Sequence, residues 1–255
     1  MIIEYYRPAT IEEALELIGR VGVPVFPMGG GTALERSASR PLAVVDLQDL
    51  QLSGFRERGN QLEVGATTLL QAFLEQPGIP DGMRQAIARE ASYNLRQVAT
   101  VAGTLVVASG RSPLATVMLA LDAKLALRSN LSASEESSGL GDLLPFRQAG
   151  LKGRLITRLT IPTNVSITFE STSRTPADLP IVCCAVATWP AGRTRVALGG
   201  HGPAPILAFD GPDAHGAEIA AREAYSRAGD EWATAAYRQD VAGLLVRRCM
   251  EELKG

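Results

Sequence analysis

Val25-Phe26-Pro27-Met28-Gly29-Gly30-Gly31-Thr32-Ala33-Leu34 is the stretch on which the fold of this chain turns. An apolar run feeds three consecutive glycines, and a threonine follows at once. Glycine lacks a Cβ, so its backbone reaches positive φ and lets another group come close. Successive N–H groups in such a turn converge on an anion as a nest, and the Thr32 hydroxyl donates or accepts. A strand ending in this turn is a candidate cradle for a diphosphate. Taken alone the motif also describes a plain tight turn. The nucleotide interpretation needs a second loop serving the same ligand.

Upstream, Thr10 and Glu13 fit a capping box, and Ile11, Ala14, Leu15 and Ile18 share one helical face. Val23 to Phe26 and Leu42 to Leu47 read as buried strands on either side of the glycine turn. The first fifty residues therefore make a small α/β unit. Gln61 to Val64 alternates as a strand, Thr68 with Gln71 is expected to cap a short helix, and Asp81 a second one. Next comes Leu95-Arg96-Gln97-Val98-Ala99-Thr100-Val101-Ala102-Gly103-Thr104-Leu105, a loop of small and hydroxyl residues whose backbone must approach something closely. Lys124 to Arg128 and Leu155 to Ile161 read as strands, and residues 129–141 as a mobile loop. Ile181 to Trp189 and Arg195 to Leu198 form a hairpin across Pro190-Ala191-Gly192. Ala217 to Tyr225 and Trp232 to Leu253 look helical, with Trp189 and Trp232 expected in the core.

The chain has 255 residues, 46% hydrophobic and 20% charged, and a formal net charge of −2. Such values suit one large or two to three small globular domains. No basic block marks a nucleic-acid surface, and no apolar run is long enough to span a membrane. The first residues lack the pattern of a signal peptide, so a cytoplasmic location is expected. Three cysteines without a C-x-x-C pair and two histidines leave no metal constellation, and Cys183, Cys184 and Cys249 are expected as buried thiols.

The two glycine-containing loops, taken with their surroundings, resemble the FAD-binding (medium) subunit of molybdenum hydroxylases of the carbon monoxide dehydrogenase and xanthine dehydrogenase type. The residues that carry the likeness run along nearly the whole chain: Tyr6-Arg7-Pro8, Gly65-Ala66-Thr67-Thr68, Asn94 to Thr100, Leu119 to Ala123, Arg174 to Val182, Arg195 to Gly200, and Ala236-Tyr237-Arg238 with Leu244 to Arg248. The resemblance implies an α+β fold: a PCMH-type FAD-binding domain over 1–164 (subdomains of about 1–55 and 56–164), then a small α/β C-terminal domain over 165–255. It implies non-covalent FAD held by Gly29, Gly30, Gly31 and Thr32 from the first loop and by Thr100, Val101, Ala102, Gly103 and Thr104 from the second. It places a molybdenum cofactor and [2Fe-2S] clusters on a large and a small partner subunit, with NAD or a quinone as acceptor. It asks for no catalytic side chain and no metal ligand on this chain. The departures are Ala102 where a second glycine is usual, Thr104 where Asn or Asp is frequent, Pro113 where an aspartate is expected, and a shortened 129–153. Arg111 in that divergent stretch is a cation that could pair with a phosphate. A degenerate homologue that keeps the fold and serves in assembly is the alternative.

Overall fold

The computed structural model describes residues 1–34 and 41–254. In chain order the strands and helices are β1 (Ile2–Tyr6), α1 (Ile11–Ile18), β2 (Val25–Met28), β3 (Leu42–Asp46), β4 (Phe55–Arg58), β5 (Gln61–Gly65), α2 (Leu70–Glu75), α3 (Asp81–Glu90), α4 (Tyr93–Arg96), α5 (Val101–Val107), α6 (Pro113–Ala120), β6 (Lys124–Ser129), β7 (Ser132–Gly139), α7 (Leu140–Leu143), α8 (Arg147–Gly150), β8 (Arg154–Pro162), β9 (Ser166–Thr172), β10 (Val182–Thr188), β11 (Thr194–Gly199), β12 (Ile206–Gly211), α9 (Ala217–Ala224) and α10 (Ala235–Glu252). They gather into two compact units, each built from separate stretches. The first holds Met1–Phe73, Tyr93–Val107 and Lys124–Thr160; the second holds Leu74–Ser92, Ala108–Ala123 and Ile161–Gly255.

The first unit begins with a parallel sheet in the order β1-β3-β2. All of Leu42-Ala43-Val44-Val45-Asp46 is buried, because the middle strand of a parallel sheet is covered on both faces. Ala14 and Leu15 of α1 pack on Val45, Leu47 and Leu50. The capping box forms one residue out of register: Thr10 Oγ1 accepts from Glu13 N at 3.2 Å, while Glu13 Oε2 accepts from Ala9 N at 3.1 Å. Thr10→Ala should therefore lower stability by about 1 kcal/mol, read as a fall in denaturation midpoint at unchanged denaturant slope; a shift under a third of that would show the cap to be idle.

The other sheet of this unit has the order β4-β5-β8-β6-β7. Two expectations are corrected here. Residues 132–139 form a strand paired with β6 instead of a loop; its serines and glutamates suit an edge position open to water. Thr68 does not cap α2. Its hydroxyl accepts from Gly54 N at 2.9 Å and lies 3.2 Å from Gly54 O, to which it donates.

The second unit centres on an antiparallel sheet in the order β12-β11-β10-β9. Strand side chains alternate between faces. Val182, Cys184 and Val186 point to α9 and α10, where they meet Ala221, Tyr225, Leu245 and Cys249. Cys183 faces the other way, 3.6 Å from Thr116 Oγ1 of the wholly buried α6. Helices on both faces explain why Ile181–Ala187 carries no polar residue on either side. The three cysteines are free and buried, and burial pushes the Cys183 thiol up to about 12 against a softening hydrogen bond from Thr116. The β10–β11 hairpin closes with Trp189 N donating to Arg193 O at 2.9 Å, leaving the three residues Pro190, Ala191 and Gly192 as its loop. Trp232 is not a core residue as expected; it is 38% exposed. The Arg111 and Arg174 guanidinium carbons lie 4.3 and 4.8 Å from its ring centroid.

Candidate functional site: a crossing of two glycine-bearing segments

Both sequence segments fall in the first unit, and the structure brings them into contact. After β2 the chain runs through Gly29, Gly30 and Gly31, the last at φ +70, and turns at Thr32 and Ala33. The second segment passes beneath it. A Cβ on Gly29 would stand 2.6 Å from Thr100 Oγ1, and one on Gly30 would stand 1.6 Å from Val98 O. Only a chain without side chains at these two positions permits the crossing.

The second segment is not the loop that its composition suggested. Thr100 makes a bridge with Leu69, and Val101–Val107 is α5. Tertiary hydrogen bonds make its first turn. Val101 N donates to Thr68 O at 2.8 Å, Ala102 N to Ala66 O at 3.1 Å, and Gly103 N to Thr100 Oγ1 at 3.2 Å. Thr104 N and its hydroxyl both donate to Thr100 O, each at 2.9 Å. Ala102 is buried and Gly103 exposed. A Cβ on Gly103 would lie 2.7 Å from Thr100 Oγ1, so this glycine also serves the packing around that hydroxyl.

The two segments therefore differ in what they can offer an anion. Among the described residues, the N–H groups of Gly29, Gly30, Gly31 and Thr32 donate to no protein acceptor, whereas those of Val101, Ala102, Gly103 and Thr104 are all used. Four consecutive unused N–H groups on a half-exposed glycine turn fit a phosphate. The second segment supplies shape: a small-residue wall fixed to Ala66 and Thr68. Val98, whose carbonyl lies under Gly30, falls in the Leu95–Leu105 stretch expected to approach something closely, whereas the acceptors Ala66 and Thr68 carry no sequence signal for this role beyond the Gly65-Ala66-Thr67-Thr68 likeness.

Pro113 sits at the first position of α6 behind the N-cap Ser112, whose hydroxyl accepts from Ala115 N at 3.1 Å. Its missing N–H is one that a helix start leaves unused anyway. Arg111 is committed elsewhere than to a phosphate: its guanidinium donates to Pro180 O at 2.9 Å and to Leu179 O. Arg96 is held by Gln71 Oε1 at 3.0 Å. Among the described residues no cluster of three or more His, Cys, Asp or Glu side chains could hold a metal, and no helix is long and apolar enough to cross a membrane.

Comparison with known proteins gives the geometry its family. The family model described as the FAD binding domain in molybdopterin dehydrogenase matches residues 1–164. The Escherichia coli K12 protein YgfM is 29% identical over 254 residues, covering 96% of this chain and 94% of its own length. The carbon monoxide dehydrogenase medium chain of Afipia carboxidovorans strain OM5 is 26% identical over 279 residues, covering 98% and 96%. A chain of the carbon monoxide dehydrogenase from Hydrogenophaga pseudoflava aligns with a TM-score of 0.85 at 20% identity, over 98% of this chain and 96% of that one. Quinoline 2-oxidoreductase from Pseudomonas putida 86 aligns with a TM-score of 0.79 at 20% identity, over 98% and 95%. The structural likeness establishes the α+β fold of these proteins for nearly the entire chain. Since the family model takes in well over half of its residues, the chain belongs to the family of FAD binding domains in molybdopterin dehydrogenases, a family of oxidoreductase components.

Proposed function

We propose that this chain is the electron-transfer subunit of a molybdenum hydroxylase, with FAD bound non-covalently at the crossing of Gly29–Thr32 and Thr100–Thr104. The single observation that carries this is the row of four unused N–H groups on a glycine turn that only a side-chain-free backbone could bring against Val98 and Thr100. Gly29, Gly30, Gly31 and Thr32 would neutralise phosphate oxygens through backbone N–H groups. Thr100, Val101, Ala102, Gly103 and Thr104 would wall the other side and exclude water. When bound, FAD would supply the one- and two-electron redox chemistry; the protein contributes position and electrostatics. No side chain of this chain need act as acid or base.

In this reading residues 1–164 form the FAD-binding domain and 165–255 the C-terminal domain. A large subunit with the molybdenum cofactor and a small iron–sulfur subunit feed it electrons, and NAD or a quinone receives them. Three free, buried cysteines suit the reducing cytoplasm. A second reading, an assembly subunit without flavin, is favoured by two particulars: the second segment has spent its N–H groups, and Pro113 offers no acceptor side chain. Absorption separates the two. The purified chain, titrated with FAD, should show flavin bands that stay with the protein through gel filtration. A colourless protein that takes up no FAD, alone or with its partner subunits, would leave the assembly reading in place.

A further inference from the structure

Residues 65–70 form a strip of backbone with a neighbour on each side, all within the first unit. On one side lies the turn at 52–54. Gly65 N donates to Gly54 O and Thr67 N to Leu52 O, each at 2.9 Å. A Cβ on Gly65 would stand 2.4 Å from Leu52 O, so strip and turn are in close contact. On the other side lies the second glycine-bearing segment. Leu70 N donates to Ala99 O at 2.9 Å, Leu69 bridges Thr100, and the carbonyls of Ala66 and Thr68 receive the N–H groups of Ala102 and Val101. α5 cannot supply those two acceptors itself, because the first N–H groups of a helix have no partner within it. Thr68 joins the two sides. Its carbonyl accepts from Val101 N at 2.8 Å. Its hydroxyl accepts from Gly54 N at 2.9 Å and donates to Gly54 O at 3.2 Å, so one side chain engages both backbone groups of a residue held at φ +102. Thr68 is 2% exposed. A hydroxyl is thus retained where an apolar side chain would be easier to bury, and its two contacts with the turn are what it brings.

We propose that Thr68 is a positioning residue of the flavin cradle: its hydroxyl pins the strip to the turn at 52–54 while its carbonyl holds the start of α5, and the two together fix residues 100–104 for FAD. This rests on the function proposed above. The wall opposite the glycine turn is then only as firm as the strip behind it. Without the hydroxyl the strip keeps its backbone bonds to Leu52 and Gly54 but loses its side-chain tie at Thr68, the residue to which Val101 is bonded.

The test uses the full chain with Thr68→Val, Thr68→Ser and, as a control elsewhere in the same unit, Thr10→Ala. FAD affinity is followed by quenching of flavin fluorescence. Melting temperature and hydrogen–deuterium exchange in a peptide spanning 98–105 are recorded on the FAD-free protein. Valine keeps the shape and removes the hydroxyl. It should weaken FAD binding about fivefold, the worth of one neutral hydrogen bond, and speed exchange in that peptide. Serine keeps the hydroxyl and should stay within about twofold of the wild type. A positioning role predicts both changes far below the melting temperature, and neither of them in Thr10→Ala. If Thr68→Val melts earlier yet binds FAD as the wild type does, the hydroxyl serves stability alone and the proposal fails. It fails equally if Thr10→Ala loses as much affinity for the same fall in melting temperature. Should Thr68→Val not fold, Thr68→Ala is compared with Thr68→Ser: weaker binding by the alanine variant supports the proposal and equal binding overturns it. A wild-type chain that takes up no FAD removes the functional reading and this one together, whereas wild-type binding matched by the Thr68 variants removes this one alone.

Discussion

Alanine at Gly30 is expected to abolish FAD uptake and to produce the larger stability loss of any single methyl group added in the cradle. Its Cβ would lie 1.6 Å from Val98 O, 2.5 Å from Val98 C and 3.3 Å from Ala99 N. All three are backbone atoms, so no rotamer change relieves the overlap and the two segments must move apart. Overpacking of a tight interior costs about 1–3 kcal/mol and sometimes more; a clash with backbone belongs at the upper end. The neighbouring glycines provide a scale. Gly29→Ala would meet Thr100 Oγ1 at 2.6 Å and Cγ2 at 2.9 Å, both side-chain atoms. That defect should be largely repaired in the double variant Gly29→Ala/Thr100→Ala, a coupling that a double-mutant cycle measures. Gly31→Ala has only Met28 Sδ nearby, at 3.5 Å, but must hold φ +70, which costs about 1 kcal/mol for an L-residue. The expected order of damage is Gly30, then Gly29, then Gly31, read from FAD titration and thermal melting. Wild-type FAD affinity in Gly30→Ala would show that the crossing is not the cradle.

How much of this could be read from the residues alone depended on whether local pattern or distant partners fix each element. Thr10 with Glu13 and the Ala14–Leu15 stripe mark α1 within a few residues of the chain, and the apolar runs at 42–45 and 181–187 mark buried strands by composition. The glycines at 29–31 disclosed a close approach without disclosing what approaches: Val98 and Thr100, some 70 positions away. α5 was hidden because Val101-Ala102-Gly103-Thr104 is poor in helix formers, and its first turn is held by carbonyls of Ala66 and Thr68 that lie outside any local window. β7 was hidden by its serines and glutamates, which only an edge position tolerates. Trp232 looked like core because aromatic residues usually are; two arginines instead cover it. Burial of a charged residue inside an amphipathic helix is invisible in the same way, as with Arg238, where the surrounding Tyr237, Gln239 and Asp240 suggest an open face.

Arg238→Met should cost the second unit about 3–5 kcal/mol, the usual loss when one member of a buried ionic cluster is removed. The reason lies in two carbonyls that converge. Gly200 holds φ +119, and a Cβ there would stand 2.1 Å from Ile181 O, so the ends of β10 and β11 are pressed together with Ile181 O and Gly200 O on the same side. Two carbonyl oxygens so placed repel unless a donor lies between them. Arg238, fully buried on α10, supplies it: Nη1 donates to Gly200 O at 2.7 Å and to Ile181 O, while Nη2 donates to Asp230 Oδ1 at 2.6 Å. Methionine fills the volume but leaves both carbonyls without their donor and the carboxylate with only the Trp232 and Ala233 N–H groups; lysine keeps the charge but not the fork, and should fall between. A loss of this size corresponds to a drop of roughly 10 °C in melting temperature for a chain of this length. The pH dependence gives an independent check. Burial pushes the Asp230 carboxyl upward, but hydrogen bonds from Arg238, Trp232 N and Ala233 N together hold it below its ordinary value of 3.8. A carboxyl depressed in the folded state adds stability above its unfolded pKa and loses it as pH falls through the folded one. With Arg238 gone part of that depression goes too, so the gap between wild type and Arg238→Met should narrow as the pH is lowered into the acid range. Calorimetry of both proteins at neutral pH and at successively lower pH decides it: a gap below about 1 kcal/mol at neutral pH, the worth of an ordinary hydrogen bond, or a gap that widens with acid, would mean that the buried guanidinium is not what holds the ends of β10 and β11 together.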